Sequence, residues 1–220
     1  MDLMEVIRAR HSVRSYLEQP IEGALRTRLT EAANACNEEG ELHIQLVFDE
    51  PRAFGGKIAH YGAFRNVRNY IVLAGGGTNL QERCGYYGER LVLFAQQLGL
   101  STCWVALNYS KGAAAAELRP GEKLCCLIAL GYGAEPGRPH KNKPWEKLFS
   151  AKGPAPAWFK AGAEAALLAP TAMNQQRFRI SLEGTGVRAK ALPGILTRLD
   201  LGIVKYHFEA GAGRENFHWL

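Results

Sequence analysis

The sequence has no long hydrophobic run. Its most apolar short stretch, residues 125–130, falls far below the roughly 18 uninterrupted apolar residues that a membrane-spanning helix needs, and it reads as a buried strand. No run of five basic residues occurs, although Lys and Arg number 27 against 21 Asp and Glu. Divided at Ser150, bases and acids fall as 18 and 16 before it and 9 and 5 from it onward, so the excess of +6 is spread thin. That excludes a nucleic-acid stripe and a polybasic membrane patch. A mild excess suits an anionic small ligand such as a phosphorylated cofactor, and equally a solvated surface with no partner. The five cysteines, Cys36, Cys84, Cys103, Cys125 and Cys126, form no C-x-x-C and no Cys/His cluster with zinc spacing. They read as buried free thiols, which implies a reducing, cytoplasmic compartment. The first residues, MDLMEVIRARHS, lack the apolar centre of a signal peptide.

Signatures of self-sufficient catalysis are missing too. No G-x-G-x-x-G follows a strand, no G-x-x-x-x-G-K-[ST] occurs, and Gly75-Gly76-Gly77 leads only to Thr78. There is no G-x-S-x-G and no evident carboxylate pair. Groups that hold ligands are present without a nucleophile, a pattern that fits an enzyme whose cofactor carries the chemistry.

What is there is ordinary globular material: 220 residues, 47% apolar and 22% charged, enough for one sizeable core or two small ones. Asp2 is placed to cap a short helix through Arg8. A helix is expected from Ile21 to about Glu38, begun by Pro20 and stopped by Gly40. Alternation at Leu42, Ile44, Leu46 and Phe48 predicts a half-buried strand, residues 49–68 read as loop, and residues 70–74 as a second strand. Asn79 is expected to cap a helix to Leu98, with Leu80, Cys84, Tyr87, Leu91, Phe94 and Leu98 as its apolar stripe and Gly99 as its stop. Strands are predicted at 102–107 and 125–131, a short helix at 113–118, and loop at 132–144. AKGPAPA, residues 151–157, is the best linker in the chain. Beyond it come a helix at 158–168, strands at 177–183 and 187–192 joined at Gly184/Gly186, and a helix from about 195 to 208. Strands joined by turns favour an α+β fold with a mixed sheet over a purely parallel one. Two internal echoes stand out. Glu31-Ala32-Ala33 and Glu164-Ala165-Ala166 each precede a strand, and GYYGE at 85–89 pairs more faintly with DLGIV at 200–204.

Three segments offer ligand chemistry. Arg10, His11, Ser12 and Arg14 follow the first helix. Alternate residues of an extended chain point the same way, so Arg10, Ser12 and Arg14 can converge on one oxyanion; taken alone the segment is equally a solvated basic loop. His140, Lys141 and Lys143 form a second basic loop after a buried strand. Pro170, Thr171, Ala172, Met173, Asn174, Gln175 and Gln176 supply neutral donors and acceptors suited to the edge of a heterocycle, or simply end a helix.

Taken together these segments resemble the FMN-dependent nitroreductase family. Residues 7–16, IRARHSVRSY, look like its opening I-x-x-R-[RH]-S-x-R-x-[FY]. Residues 85–107 look like its mid-chain helix and strand, and residues 128–148 like its closing strand and phosphate loop. The family's A-P-S-x-x-N-x-Q-P-W is missing from the first third, where Ala35-Cys36-Asn37-Glu38 stands, and turns up as APTAMNQQ at 169–176. In the family that motif reaches the flavin from a partner subunit. The resemblance therefore implies a nitroreductase-like domain over 1–149. It also implies a truncated second copy over 158–220 that completes the flavin site as an intrachain pseudo-dimer, or that serves a second chain in a homodimer. Arg10, His11, Ser12 and Arg14 match the phosphate and ribityl/pyrimidine contacts, with His11 where Arg is usual. Lys141 and Lys143 match the phosphate loop. Pro170, Thr171 (for Ser) and Asn174 match the transplanted motif, as does Gln176, while Arg177 replaces Pro. The backbone of Ala106 and Leu107 matches the segment facing flavin N5. The implied cofactors are FMN, with NADH or NADPH as electron donor. The implied partner is a small electron-poor acceptor such as a nitroaromatic, quinone or activated alkene, and no side chain is expected to act as catalytic acid. Tyr86, Tyr87, Trp104 and Tyr109 are candidates to line the cleft and equally candidates for the core.

Overall fold

The computed structural model describes residues 2–220, and of Ile58 and His60 the backbone only. The chain divides into two compact units: one comprises the stretch up to Ala9 with residues 81–89 and 140–220, the other residues 10–80 and 90–139. Each carries one four-stranded sheet.

The sheet of the second unit runs β1 (Gln45–Val47), β2 (Asn69–Gly75), β4 (Lys123–Gly131), β3 (Ser101–Val105), every neighbour antiparallel. Tyr70 faces Ala129 across β2 and β4, and Trp104 faces Ile128 across β3 and β4. All seven residues of β2 are buried. A strand wrapped on both faces needs apolar side chains at every position, which NYIVLAG nearly supplies. Tyr16, Phe54, Phe64, Tyr70, Val105 and Leu127 build the core on one side of this sheet.

Several local expectations shift for identifiable reasons. α2 spans Gly23–Gly40, and the turn out of it is made by Glu41 in the left-handed region. β1 is shorter than the alternation suggested because the Asn37 amide occupies both backbone groups of Ile44, accepting from its N–H at 2.6 Å and donating to its carbonyl at 3.0 Å. Residues 49–68 contain a short helix, α3 (Lys57–Tyr61). The helix expected at 113–118 does not form. After one turn on the Ser110 carbonyl, the Ala115 N–H donates to the Tyr70 hydroxyl and the Glu117 N–H to the Gln45 side chain. Those side chains outcompete the helical ladder.

α4 (Leu80–Gln97) passes from one unit into the other. Asn79 does not cap it through its side chain; it sits instead in the left-handed region. The stop at Gly99 is as expected, with Gly99 donating to Gln96 and Leu100 to Ala95. Burial is wider than one stripe: Gly88, Glu89, Leu91, Val92, Leu93 and Ala95 are all buried, as in a helix enclosed on most sides.

In the first unit the sheet order is β5 (Phe149–Ala151), β6 (Phe178–Glu183), β7 (Gly186–Ala191), β8 (His218–Trp219), with β6 and β7 antiparallel and both outer strands parallel to their neighbours. Gly184, at φ +69°, opens the two-residue turn between β6 and β7, where a side chain would be strained. One sheet face packs on α6 (Thr197–Ala212), which packs in turn on α5 (Ala157–Leu167). Phe159 and Phe208 meet edge to face at 5.5 Å, and Phe217 and Trp219 of the returning tail close over Phe208. The linker candidate AKGPAPA spans the end of β5, a short loop and the start of α5. α1 (Leu3–Ala9) lies against α6.

Candidate functional site

The sequence candidates gather into two groups, one in each unit. Arg10, His11, Ser12 and Arg14 form an extended edge segment running parallel to β3: Ser12 bridges to Thr102, and the Val13 N–H donates to the Thr102 carbonyl at 3.0 Å. Val13 turns into the core. Arg10, Ser12 and Arg14 each come within electrostatic reach of Cys103 on β3. The buried Cys103 thiol is pushed up by burial, and it is held back by the Arg14 charge, a hydrogen bond from Ser12 and the Arg10 charge. Two guanidiniums and a hydroxyl thus act on one spot beside β3. Arg10 is 5% exposed, which is rare for arginine and marks it as built into the fold.

His11 is positioned from the other side. Gly137, at φ +75°, brings the loop after β4 so close that a Cβ there would lie 2.8 Å from the His11 Cβ and 3.1 Å from the Ser12 carbonyl. Any side chain at 137 would lift the loop off the segment. Ala106 and Leu107 follow directly on β3, and Leu107 is 65% exposed. Tyr16 anchors the end of the segment through a 2.7 Å bond to the Val13 carbonyl, and burial holds its hydroxyl well above the usual phenol range. Tyr109 belongs to the same core, and Trp104 is half-buried on β3.

In the other unit Lys141, Lys143, Thr171 and Asn174 are drawn together by hydrogen bonds, and Pro170 directly precedes Thr171. The Asn174 and Gln176 amides donate to the Lys141 carbonyl at 2.9 and 2.8 Å. Gln176 also donates to the Asn174 side chain and accepts from the Lys143 N–H, each at 2.8 Å. The Lys143 ammonium is turned onto the carbonyls of Gln175 and Gln176. Thr171 holds the far end by accepting from the Gln176 N–H at 3.1 Å. Met173, Asn174 and Gln176 all lie at positive φ, 51°, 51° and 43°, a costly path for residues with side chains.

Asp200, which sequence reasoning passed over, holds that strained loop. It accepts from the Ala172 N–H and from the Gln175 amide, both at 2.9 Å. Burial pushes its carboxyl up to about 6, against those two hydrogen bonds. The available signal was an acidic residue set between Leu199 and Leu201 in an apolar helix. Gln176, 2% exposed, is the hub of the loop. Tyr86 is committed to structure, its hydroxyl bonded to Glu209 and pushed well above the usual phenol range by burial and that carboxylate, and its ring set against Tyr87 and Tyr206. No group of three or more His, Cys, Asp or Glu could hold a metal among the described residues. No described helix is long and apolar enough to cross a membrane.

Comparison with known proteins accords with this chemistry. The fold is similar to that of a Thermotoga maritima protein described as a "putative nitroreductase", at TM-score 0.63 and 21% identity over 96% of this chain and 83% of that one. It is also similar to the FMN-dependent nitroreductase of Clostridium difficile R20291, at TM-score 0.51 and 18% identity over 66% of this chain and 96% of that one. No curated protein matches the sequence. The family model described as "Putative TM nitroreductase" matches residues 2–212, and the chain belongs to that nitroreductase family of oxidoreductases.

Proposed function

We propose that the chain is an FMN-dependent oxidoreductase that takes hydride from NADH or NADPH and delivers it to a small electron-poor acceptor, a nitroaromatic, quinone or activated alkene. The observation that carries this is the edge segment of Arg10, Ser12 and Arg14 along β3, all three acting on the Cys103 thiol, with the exposed Leu107 two residues past the end of that strand. That combination fits a ligand with an anionic end and an apolar ring. FMN, when bound, supplies the hydride chemistry, and the protein supplies position and charge. Arg14 stabilises negative charge that develops on the ligand, and Arg10 and Ser12 fix its orientation through forked and hydroxyl donors. Lys141, whose ammonium is exposed, meets the phosphate. Lys143 is the clamp that holds the 171–176 loop, and the backbone of Ala106 and Leu107 borders the ring.

The second group of residues enters the same reading if residues 158–220 are a half-repeat. Two features support it. The order α5–β6–β7–α6 parallels α2–β1–β2–α4 with α3 inserted between β1 and β2, and the strands are antiparallel in both. α4 and α6 also touch reciprocally: a Cβ on Gly85 would collide with the Leu199 carbonyl, and one on Gly202 with the Glu82 carbonyl. Each glycine meets the residue three positions before the other glycine, as in a two-fold contact. Pro170, Thr171 and Asn174 then stand where a partner subunit's residues would.

The test is the visible spectrum of the purified chain with FMN counted per chain and mass measured in solution. A yellow monomer with about one FMN, bleached by NADH or NADPH and recoloured by a nitroaromatic, is expected. A chain that stays colourless with added FMN overturns the reading. A flavin that binds but is not bleached by either nicotinamide leaves a flavin-binding protein without this turnover.

A further inference from the structure

β6 is buried and exposed by turns, with Phe178, Ile180 and Leu182 inward and Arg179 and Glu183 outward. Its sheet therefore has one open face, unlike β2, which is covered on both sides. On that open face Arg179 stands directly across from Lys190, and Ser181 across from Arg188. Ser150 of β5 pairs in register with Ser181. Arg188 is matched by Glu183 at 3.3 Å. Glu183 is held below the usual carboxylate range by Arg188 first, with smaller help from Lys152 and Lys190. Among the described residues no carboxylate pairs with Arg179 or Lys190. The Arg179 guanidinium reaches only the neutral Lys147 carbonyl, at 3.4 Å.

Like charges directly opposed on neighbouring strands work against the hairpin. The Lys147 carbonyl and the more distant Glu183 offset that cost only in part, because both side chains are exposed. We propose that this face docks an acidic segment of a partner protein, whose carboxylates fall between Arg179 and Lys190. Three observations select that occupant. An open sheet face offers no concavity to bury a small anion. The face carries one aromatic ring, His218 of β8 in register with Gly186, too little for the stacking platform of a single-strand nucleic-acid site. A second copy of this chain would oppose cations to cations. None of these residues is assigned a part in the flavin reading, so the proposal stands or falls separately.

The experiment titrates the full-length chain with poly-L-glutamate and, in parallel, with duplex DNA, at low and at physiological salt. Poly-L-glutamate is expected to bind, with affinity falling as salt rises. Arg179→Glu with Lys190→Glu should weaken it at least ten-fold. Lys111→Glu with Lys160→Glu, the same change in net charge at exposed positions elsewhere, should weaken it far less. The milder Arg179→Gln with Lys190→Gln guards against a folding defect and should also lose most of the binding. No binding of poly-L-glutamate, equal losses in the two charge-reversed variants, or tighter binding of duplex DNA at this face would each overturn the proposal.

Discussion

The imidazole of His207 sits 2.8 Å from the Glu89 carboxylate, and both side chains are sealed from solvent. Its other nitrogen lies 3.1 Å from the Ala165 carbonyl, which can only accept, so Nδ1 carries a proton. One buried pair thus ties α4, α5 and α6 together. Glu89→Ala should cost about 3–5 kcal/mol in urea unfolding, since it strands a buried polar ring. Glu89→Gln, which keeps an acceptor, should cost about half as much or less.

The helix contact at Gly85 and Gly202 leaves no room for a methyl group, because the obstacle in each case is backbone. Gly85→Ala and Gly202→Ala should each lower stability by about 2 kcal/mol or more, read as a fall in Tm. Losses of similar size at both positions would match the reciprocal geometry. A neutral result at either would show that the helices are not in contact there.

Asp200 makes stability depend on pH with a defined sign. Its carboxyl is raised from 3.8 to about 6, so the folded chain holds that proton more tightly than the unfolded chain. The stability it contributes is complete below the unfolded value and lost as pH climbs through the folded one. Asp200→Asn removes this titration. Relative to the parent chain, the variant should gain about 2 kcal/mol between about pH 3.5 and about pH 8. The absence of any relative change would mean that Asp200 ionises in the folded chain as it does in the unfolded one.

Arg14→Ala and Arg10→Ala should each weaken FMN binding about ten-fold or more, the usual cost of losing a charge-assisted hydrogen bond. Fluorescence quenching of FMN on titration with each variant reads this. Lys143→Ala should act differently, by loosening the 171–176 loop that its ammonium holds.

Lys190→Glu turns an opposed like-charge pair into an attractive one. It should stabilise the β6–β7 hairpin by up to ~1 kcal/mol. A gain in Tm accompanied by loss of poly-L-glutamate binding would separate the role of this residue in folding from its role on the surface.

The elements with strong periodicity and clear punctuation were legible from the chain alone. α5, α6 and the β6–β7 hairpin lie within a few residues of their expected bounds, since the apolar spacing and Gly184 are local signals. The failures are places where a distant side chain took over a backbone group. Tyr70 and Gln45 captured the N–H groups of the expected helix at 113–118, and Asn37 pulled Ile44 out of its ladder. β5 and β8 were invisible because short edge strands take their identity from the strand they pair with, not from their own pattern.

For the site, alternation along an extended segment predicts Arg10, Ser12 and Arg14 on one side, because that geometry belongs to the backbone itself. The family, too, was written in three ordered motifs. What the sequence left undecided was how the polar loop at 171–176 is held: Asp200, 25 residues past Gln175, and Lys141 and Lys143, on the far side of α5, fix it. Those bonds depend on which elements fold back on one another. Burial and hydrogen-bond partners follow from packing across the chain, and no local spacing encodes them.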